Sequence, residues 1–337
     1  MSTRPRALAA TPRPQPAPRL KTADLISIRD LSSLEVRSIL GLAGIMKATP
    51  AAFRDALAGK QLALFFEKPS LRTRITFEAG ISSMGGTSFF VDQTRTRLDE
   101  RETLSDISRN LERWVDGVVL RTFDHATVVG VAQHAGIPVI NGLSDLEHPC
   151  QALADFFTLE EKLGDLAKVR LAYVGDGNNV AHSLMLVAAS VGSHVRIATP
   201  PHYEPAKDVV NFARNRARQT GASVELFNDS VEAVAGANAI YTDVWASMGQ
   251  ESEAETRRAT FAPYQVNREL MARAAPGALF LHCLPAHRGL EVTDEVIDSP
   301  QSIVFDQAEN RLHVQKAILL LLLGNGTRRL PLRSAHA

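Results

Sequence analysis

The sequence predicts an α/β protein with two doubly wound domains and mainly parallel sheets. From residue 22 onward, segments with helical spacing alternate with short apolar runs, which is the pattern of βαβ units. A length of 337 residues suits two domains of ordinary size, and a hydrophobic content of 45% is sufficient for their cores. The predicted strands are residues 61–66, 117–120, 138–140, 170–174, 194–198, 239–244 and 278–281.

The charge balance excludes some classes of partner. The chain has 37 Lys and Arg and 37 Asp and Glu residues, so no net field would draw it to nucleic acid or to an anionic membrane. Residues 1–21 are basic, but their prolines prevent a continuous amphipathic helix of the mitochondrial-targeting kind, and we expect a disordered leader. The Leu-rich run 318–323 is too short to span a membrane. We therefore expect a cytoplasmic protein.

Two helical segments are important for the organisation of the chain. Residues 157–168 are predicted to form a charged connecting helix between an N-terminal and a C-terminal lobe. Residues 305–323 are predicted to form a long helix with Arg311 in its polar first half. Ligands of doubly wound sheets bind beyond the carboxyl ends of the strands, so the residues that follow predicted strands are the candidates for function.

The stretch FEKPSLRTR (66–74) has the features of an anion site. Pro69 suits the first turn of a helix, which would place Ser70 and the residues after it at a helix N-terminus with unpaired N–H groups. Arg72 and Arg74 would point to opposite sides, so that one grips a phosphate while the other contacts a protein carboxylate. Taken alone, the stretch is more simply explained as an ordinary strand-to-helix junction with solvated arginines.

Two further segments add polar groups of the same kind. Arg121 closes a predicted strand and so places a guanidinium at its carboxyl end. Pro149 marks the first turn of another helix, with His148 near the cap position and Gln151 on roughly the same face. A neutral imidazole and an amide would both donate to a carbonyl oxygen. The simpler alternatives are a surface arginine and a capping histidine.

The turn after residue 174 is similar to the first turn of a dinucleotide-binding fold, but the pattern is incomplete. Val180 stands at the third glycine position, and the next predicted strand ends without an acid for a ribose, which disfavours a nicotinamide dehydrogenase. Asn179 is still available there to hydrogen-bond a small polar ligand. Asp243 lies at the tip of a later strand and suits an ammonium group, unless it is only a capping residue.

The cysteines predict neither a disulfide framework nor a metal site. Cys150 and Cys283 each follow a histidine closely, but such near-adjacent ligands rarely turn inward together, so zinc is disfavoured. Cys283 taken alone is more often a packed side chain than a reactive thiol. Leu284 precedes a proline, and a cis bond there would turn its carbonyl into a pocket.

Four ordered motifs together resemble the signature set of ornithine carbamoyltransferases, in the aspartate/ornithine carbamoyltransferase family. They are FEKPSLRTR (66–74), HPCQ (148–151), DVWASMG (243–249) and HCLP (282–285), and the likeness covers roughly residues 22–323. The resemblance implies a two-domain enzyme that makes L-citrulline and phosphate from carbamoyl phosphate and L-ornithine. It implies no metal, no cofactor, and a homotrimer or a multiple of trimers.

The resemblance also assigns domains and residue roles. It implies a carbamoyl phosphate-binding domain (22–155), an ornithine-binding domain (156–304) and a C-terminal helix (305–325) that returns to the first domain. Carbamoyl phosphate would be bound by Ser70, Leu71, Arg72, Thr73, Arg97, Arg121, His148, Gln151, Cys283, Leu284 and Arg311. Ornithine would be bound by Asn179, Asp243, Ser247 and Met248. The implied catalytic residues are Cys283, Asp243, Arg121 and His148.

The chain departs from the family pattern at two positions. Leu71 stands where many members have threonine, but its backbone N–H can still serve. Arg97 stands where many members have a glutamine that reaches the carbamoyl phosphate of the neighbouring subunit. Arg97 would supply charge to that site instead, or would pair with Glu100 or Glu102 and not contact the neighbouring carbamoyl phosphate.

Two alternatives stay open. One is a carbamoyltransferase for another acceptor, such as putrescine, N-acetylornithine or aspartate, although the loop at Ser247 and Met248 is similar to the ornithine type. The other is a catalytically silent binding subunit, which would be expected to lack chemical residues. None of the expected residues is missing from the sequence.

Overall fold

The computed structural model describes residues 20–93, 98–246 and 253–324. Within them, two sheets contain only parallel strand pairs, in the orders β2-β1-β3-β4 and β7-β6-β5-β8-β9. The strands are β1 (Gln61–Phe66), β2 (Thr87–Asp92), β3 (Gly117–Arg121), β4 (Val139–Leu143), β5 (Arg170–Val174), β6 (His194–Ala198), β7 (Ser223–Phe227), β8 (Ala239–Thr242) and β9 (Leu279–His282).

Helices connect the strands and cover the sheets. Those of the described residues are α1 (Ser33–Ala48), α2 (Leu71–Ser82), α3 (Leu104–Trp114), α4 (His125–His134), α5 (Pro149–Leu163), α6 (Asn179–Val191), α7 (Lys207–Thr220), α8 (Ser230–Val234), α9 (Ala254–Phe261), α10 (Arg268–Met271), α11 (Asp294–Ile297) and α12 (Val304–Leu323). No helix in this part of the chain has both the length and the apolar composition that a membrane crossing requires.

All seven predicted strands are present, with ends that differ by up to three residues. The two strands that the sequence did not predict, β2 and β7, each lie at the edge of a sheet. Both are only partly buried, with exposed and covered positions mixed along the strand. The edge strands β4 and β9 are more completely buried and were predicted, whereas β2 and β7 lack the continuous apolar run that identified the other strands.

The C-terminal helix α12 packs back on the first lobe, as predicted, where it contacts α1, α2 and α5. Its approach to α2 is close at Gly80, where an added Cβ would lie 3.3 Å from Cγ of Lys316. Asn310 of α12 donates to the hydroxyl of Thr158 on α5 over 3.0 Å. This packing brings the polar first half of α12 to the carboxyl ends of the first sheet.

The predicted connecting helix 157–168 is not a separate element. Residues 157–163 form the second half of α5, and residues 166–168 form a short 3-10 turn. The charges of the segment predict an exposed helix, but Phe157, Thr158 and Leu159 at its start are buried. The helix that begins beside His148 is therefore the same helix that leads toward the second lobe.

A short N-terminal segment joins the two lobes on the other side. The hydroxyl of Ser27 and the backbone N–H of Ile28 donate to the buried carboxylate of Glu147 in the first lobe. Arg216 of α7 donates to the carbonyl of Ile28 over 3.2 Å, and Arg29 pairs with Asp208 over 2.8 Å. Residues 1–19 of the predicted leader lie outside the described residues.

Candidate active site

The predicted site residues meet where the strand order of each sheet reverses. The first sheet reverses between β1 and β3, and the second between β5 and β8, which is where parallel sheets bind ligands. A cleft of about 380 Å³ lies between these two points. It is lined by Ser70, Leu71, Arg72, Thr73, Arg121, His148, Gln151, Asn179, Asp243, Cys283, Leu284 and Arg311. The predicted residues Arg97, Ser247 and Met248 lie outside the described residues.

The anion side of the cleft begins at the N-terminus of α2. Ser70 is the capping residue, and its Oγ accepts from the N–H of Thr73 over 3.3 Å. Pro69 therefore precedes the cap and does not lie in the first turn, which corrects the sequence prediction. Leu71 is 69% exposed, so its side chain contributes little and its backbone N–H is the group at the helix start.

The two arginines of α2 diverge, as their spacing predicts. Arg72 lines the cleft. Arg74 pairs with Glu78 over 3.0 Å and stacks on Phe90, with its guanidinium carbon 3.8 Å from the ring centre. Only the first of them is thus available to a ligand in the cleft.

Arg121 and Arg311 supply two more guanidinium groups from distant elements. Arg121 ends β3, and Arg311 comes from α12, where it donates to Gln151 Oε1 over 2.5 Å and to Thr73 Oγ1 over 3.0 Å. Burial, followed by the charges of Arg311 and Arg72, lowers the pKa of Arg121 to about 9. Both buried Nε groups lack a hydrogen-bond partner among the described residues. An anion bound here would offset the cost of these crowded positive charges.

A fourth cation, Lys68, also lines this side and was not predicted as a site residue. Its ammonium lies 4.5 Å from the centre of the Phe123 ring. Burial, followed by the charge of Arg121, lowers the pKa of Lys68. The signal was present in the sequence, because Lys68 belongs to the same stretch as Arg72.

His148 occupies the cap position of α5, but its side chain makes no capping bond. Its backbone N–H donates to Ser183 Oγ over 2.8 Å, and its Nδ1 has no hydrogen-bond partner among the described residues. Burial, followed by the charges of Arg311, Arg121 and Arg72, holds the pKa of His148 well below its ordinary value. The imidazole is therefore neutral and can donate a proton to a carbonyl oxygen in a hydrogen bond.

The opposite side of the cleft carries a carboxylate and a thiol in contact. Cys283 Sγ donates to Asp243 Oδ1 over 3.0 Å, and Asn178 Nδ2 donates to Asp243 Oδ2 over 2.9 Å. Burial, followed by the charge of Asp243, holds the pKa of Cys283 well above its ordinary value. The thiol is therefore protonated, which makes it a hydrogen-bond donor and a poor nucleophile.

Two neighbouring asparagines at the start of α6 have different partners. Asn179 lines the cleft, and its side chain donates to the carbonyl of Ser144 over 2.6 Å. Asn178 caps α6 by accepting from the N–H groups of Val180 and Ala181, while it also holds Asp243. Sequence analysis missed Asn178, although an asparagine directly before a predicted helix is a capping signal.

Leu284 is held at the edge of the cleft by the residues around it. The Leu284–Pro285 bond is cis, and Leu284 has a left-handed backbone with φ of 57°. The N–H of Leu284 donates to Nδ1 of His282 over 2.8 Å, and Nε2 of His282 lies 3.2 Å from Glu291 Oε1. Because Nδ1 accepts, Nε2 carries the proton and donates to Glu291.

These contacts bear on whether a metal ion fits the site. Ligand atoms of Asp243, His282 and Cys283 lie within 4.8 Å of one another. Both ring nitrogens of His282 are already engaged, and the thiol of Cys283 is protonated. Cys150 is fully buried and donates to the carbonyl of Asn141 over 3.7 Å. With both ring nitrogens of His282 engaged, this group offers only Asp243 and Cys283 as ligands, fewer than the three or four protein ligands of zinc sites.

Two adjoining parts of the sequence match the two domains of one family. Residues 23–161 match the carbamoyl-P binding domain of the aspartate/ornithine carbamoyltransferases, and residues 167–322 match the Asp/Orn binding domain. The chain therefore belongs to the aspartate/ornithine carbamoyltransferase family.

Within that family, the chain is similar to several ornithine carbamoyltransferases. The chain is 52% identical over 303 residues to the ornithine carbamoyltransferase of Thermococcus kodakarensis, covering 89% of this chain and 96% of the relative. It is 54% identical over 306 residues to that of Symbiobacterium thermophilum, covering 90% and 99%. The solved structure of ornithine carbamoyltransferase from Pyrococcus furiosus is similar with a TM-score of 0.87 at 50% identity, over 90% of this chain and 97% of that one. The predicted resemblance and fold class are confirmed.

Proposed function

We propose that this chain transfers the carbamoyl group of carbamoyl phosphate to the δ-amino group of L-ornithine, giving L-citrulline and phosphate. One observation carries the proposal: a single cleft has buried guanidinium groups on one side and a carboxylate in contact with a protonated thiol on the other. The first side suits a phosphate and the second an amine. The names of the relatives support the same reaction.

The guanidinium groups of Arg72, Arg121 and Arg311 would bind the phosphate, together with the N-terminus of α2 at Ser70 and Thr73. As the bond between the carbonyl carbon and the phosphate oxygen breaks, negative charge develops on the departing phosphate. Fixed positive charges in a site shielded from water stabilise such charge strongly. This side of the cleft would therefore make phosphate a better leaving group.

The carbamoyl group would lie between His148, Gln151 and the carbonyl of Leu284. The neutral imidazole and the amide donate to its oxygen, which polarises the carbonyl for attack, while the Leu284 carbonyl accepts from its NH₂. These contacts would fix the carbonyl carbon between the leaving phosphate and the incoming amine.

The amine must be neutral to attack. With an ordinary pKa near 10.4, a primary amine is neutral in only about one part in a thousand at pH 7.4, which costs about 4 kcal/mol. Asp243 and Cys283 lie on the wall where the amine would enter, and Asn179 lies nearby to bind the amino-acid end. We propose that Asp243 and Cys283 position the amine, with Ser247 and Met248 completing the ornithine site.

The reaction is tested by mixing purified protein with carbamoyl phosphate and L-ornithine and measuring citrulline and phosphate. We expect equal amounts of the two products. Putrescine and N-acetylornithine serve as competing acceptors, and kcat/KM for ornithine should exceed that for putrescine at least about a hundredfold, because unmet polar groups penalise an analogue that lacks the amino-acid end. Equal values for the two would favour the alternative acceptor, and no citrulline at all would favour a silent subunit.

We also propose the finer points of the family's organisation for this chain. The domains would run over residues 22–155 and 156–304, with residues 305–325 returning to the first, and the enzyme would act in the cytoplasm as a homotrimer. A relative from Pyrococcus furiosus, 50% identical over 303 residues, is named anabolic, which supports a role in arginine biosynthesis. Light scattering of the purified protein would measure the assembly.

Arg97 would reach the carbamoyl phosphate of the neighbouring subunit. Suppose that inactive Arg97→Ala and Cys283→Ala subunits are unfolded and reassembled in equal amounts. In a closed ring a site regains both groups when a subunit with Cys283 receives Arg97 from its neighbour, so about a quarter of the sites should recover activity. Activity that stays at the level of the separate variants would refute sharing between subunits.

A further inference from the structure

Two helices face each other across the back of the cleft with polar residues at matching intervals. Gln151 and Asp155 lie four residues apart on α5, and Gln307 and Arg311 lie four residues apart on α12. All four residues are at least 97% buried. Such spacing places each pair on one helix face, so the four side chains form a ladder between the helices.

The ladder leaves the Gln151 side chain a single orientation. A guanidinium can only donate, so the Oε1 of Gln151 must face Arg311, which lies 2.5 Å away. The amide nitrogen then faces Asp155, and Nε2 donates to Asp155 Oδ1 over 2.7 Å. This bond uses one N–H of the amide. The second N–H remains for a ligand, because Gln151 lines the cleft.

The same carboxylate oxygen also holds the second helix. Gln307 Nε2 donates to Asp155 Oδ1 over 2.7 Å and lies 3.1 Å from the hydroxyl of Tyr241. Gln307 Oε1 accepts from the backbone N–H of His282 over 3.1 Å. His282 is the last residue of β9 and directly precedes Cys283. Asp155 therefore connects an amide at the carbamoyl side with the strand end that carries the thiol.

We infer that Asp155 is a positioning residue for carbamoyl transfer, which aims the free amide N–H of Gln151 at the carbamoyl oxygen and, through Gln307, fixes the strand end before Cys283. Asp155 does not line the cleft with these residues, so it would act through them and not on substrate. The inference rests on the proposed function, because it assigns Gln151 to the carbamoyl group.

The chemistry of Asp155 suggests which substitutions separate positioning from packing. Its Oδ2 has no hydrogen-bond partner among the described residues, whereas Oδ1 accepts both amides. Burial raises the pKa of Asp155 to about 7, and a proton on Oδ2 would leave Oδ1 free to accept. Asparagine keeps an acceptor at Oδ1, so Asp155→Asn should preserve the ladder. Asp155→Leu keeps the branched shape, with larger methyl groups in place of the oxygens, but has no acceptor, so the Gln151 amide would lose its partner and turn.

We expect Asp155→Leu to lower kcat at least about tenfold while the KM for carbamoyl phosphate changes less than about threefold, since the guanidinium groups remain. Asp155→Asn should stay within about threefold of the wild type in both constants. If Asp155 only supported packing, its substitution would lower the melting temperature but would not lower kcat selectively while the KM for carbamoyl phosphate stays nearly constant. Equal losses in the two variants would overturn the inference.

A double-mutant cycle with Gln151→Ala provides the decisive measurement. If Asp155 acts through Gln151, then adding Asp155→Leu to Gln151→Ala should cost at most about threefold in kcat, against the tenfold expected in the wild type, and the loss that remains measures the route through Gln307. Fully additive losses would refute positioning through Gln151. Should Asp155→Leu not fold, Asp155→Ala replaces it in the same cycle with the same criteria. A wild-type protein that forms no citrulline would instead refute the proposed function.

Discussion

The two sides of the cleft differ in how far their polar groups satisfy one another. On the anion side, three guanidinium groups and a lysine crowd together, and the Nε groups of Arg121 and Arg311 have no partner among the described residues. On the amine side, Asp243 already accepts from Cys283 and Asn178, and Asn179 donates to a backbone carbonyl.

This difference indicates that the two substrates meet different kinds of site. In the proposed assignment, carbamoyl phosphate brings negative charge to the anion side, so its binding would relieve electrostatic repulsion. The polar groups of the amine side already have partners, so ornithine bound there as proposed would replace existing hydrogen bonds and gain only the difference. Substitutions on the first side should therefore have larger effects than substitutions on the second.

The largest effect is expected for Arg72→Ala. The variant would remove the proposed charge-assisted contact to the phosphate and should lower kcat/KM for carbamoyl phosphate at least about a hundredfold. Steady-state kinetics with saturating ornithine provide the measurement. Arg74→Ala is the matched control, because Arg74 lies two residues away on the same helix but pairs with Glu78 and stacks on Phe90. Near-normal carbamoyl phosphate affinity in Arg72→Ala would contradict the proposal that this side of the cleft binds the phosphate.

A smaller effect is expected for Asp243→Asn. The variant removes the charge that faces the amine but keeps an oxygen to accept from Cys283 or Asn178. We expect kcat/KM for ornithine to fall about tenfold to a hundredfold while the dissociation constant for carbamoyl phosphate changes less than about twofold. Kinetics and calorimetry on the same preparation would measure both. A similar loss for both substrates would show that the two sides are not independent.

The smallest effect concerns the thiol of Cys283 and needs no substrate. Its pKa is raised by burial and by the charge of Asp243, so the thiolate fraction below pH 9 is low and iodoacetamide should react slowly. Asp243→Asn removes one cause of the increase, so the pKa should fall and alkylation at pH 8 should become faster. Mass spectrometry would follow the rate for each cysteine.

Cys150 provides an internal control for that experiment, because burial raises its pKa to about 12 and it should not react in either protein. A rate for Cys283 that reaches a plateau below pH 9 in the wild type would contradict the assignment. So would an unchanged rate in Asp243→Asn, since the amine side would then exert no electrostatic control over the thiol.

The local sequence pattern was sufficient to predict much of the fold and many residues of the cleft. The seven predicted strands contain apolar runs, so their positions were clear, whereas β2 and β7 mix exposed and covered residues and were missed. Arg121 ends β3, Asp243 directly follows β8, and Arg72 lies in the first turn of the helix after β1. Parallel strands bring residues at such positions to one edge of a sheet. Their convergence is therefore a consequence of topology that the sequence pattern already contains.

Contacts between helices that are distant in the sequence could not be predicted from local sequence pattern. Asp155 and Gln307 are polar residues inside helices, and in the sequence they are indistinguishable from solvated positions. Their partnership depends on the angle and offset at which α12 crosses α5, which no local spacing determines. The place of Pro69 before the cap, and not after it, likewise depends on the residue at which the first turn of α2 begins.

The position of α12 also has a consequence for the order in which the protein becomes functional during synthesis. Residues 304–323 leave the ribosome after all nine described strands, yet Arg311 contacts Thr73, which was made 238 residues earlier. Domains usually fold as they emerge, with the N-terminal one first. The first lobe can thus acquire its sheet early, but the proposed phosphate site stays incomplete until the C-terminal helix arrives. A nascent chain interrupted before that helix would hold a folded lobe without a competent site.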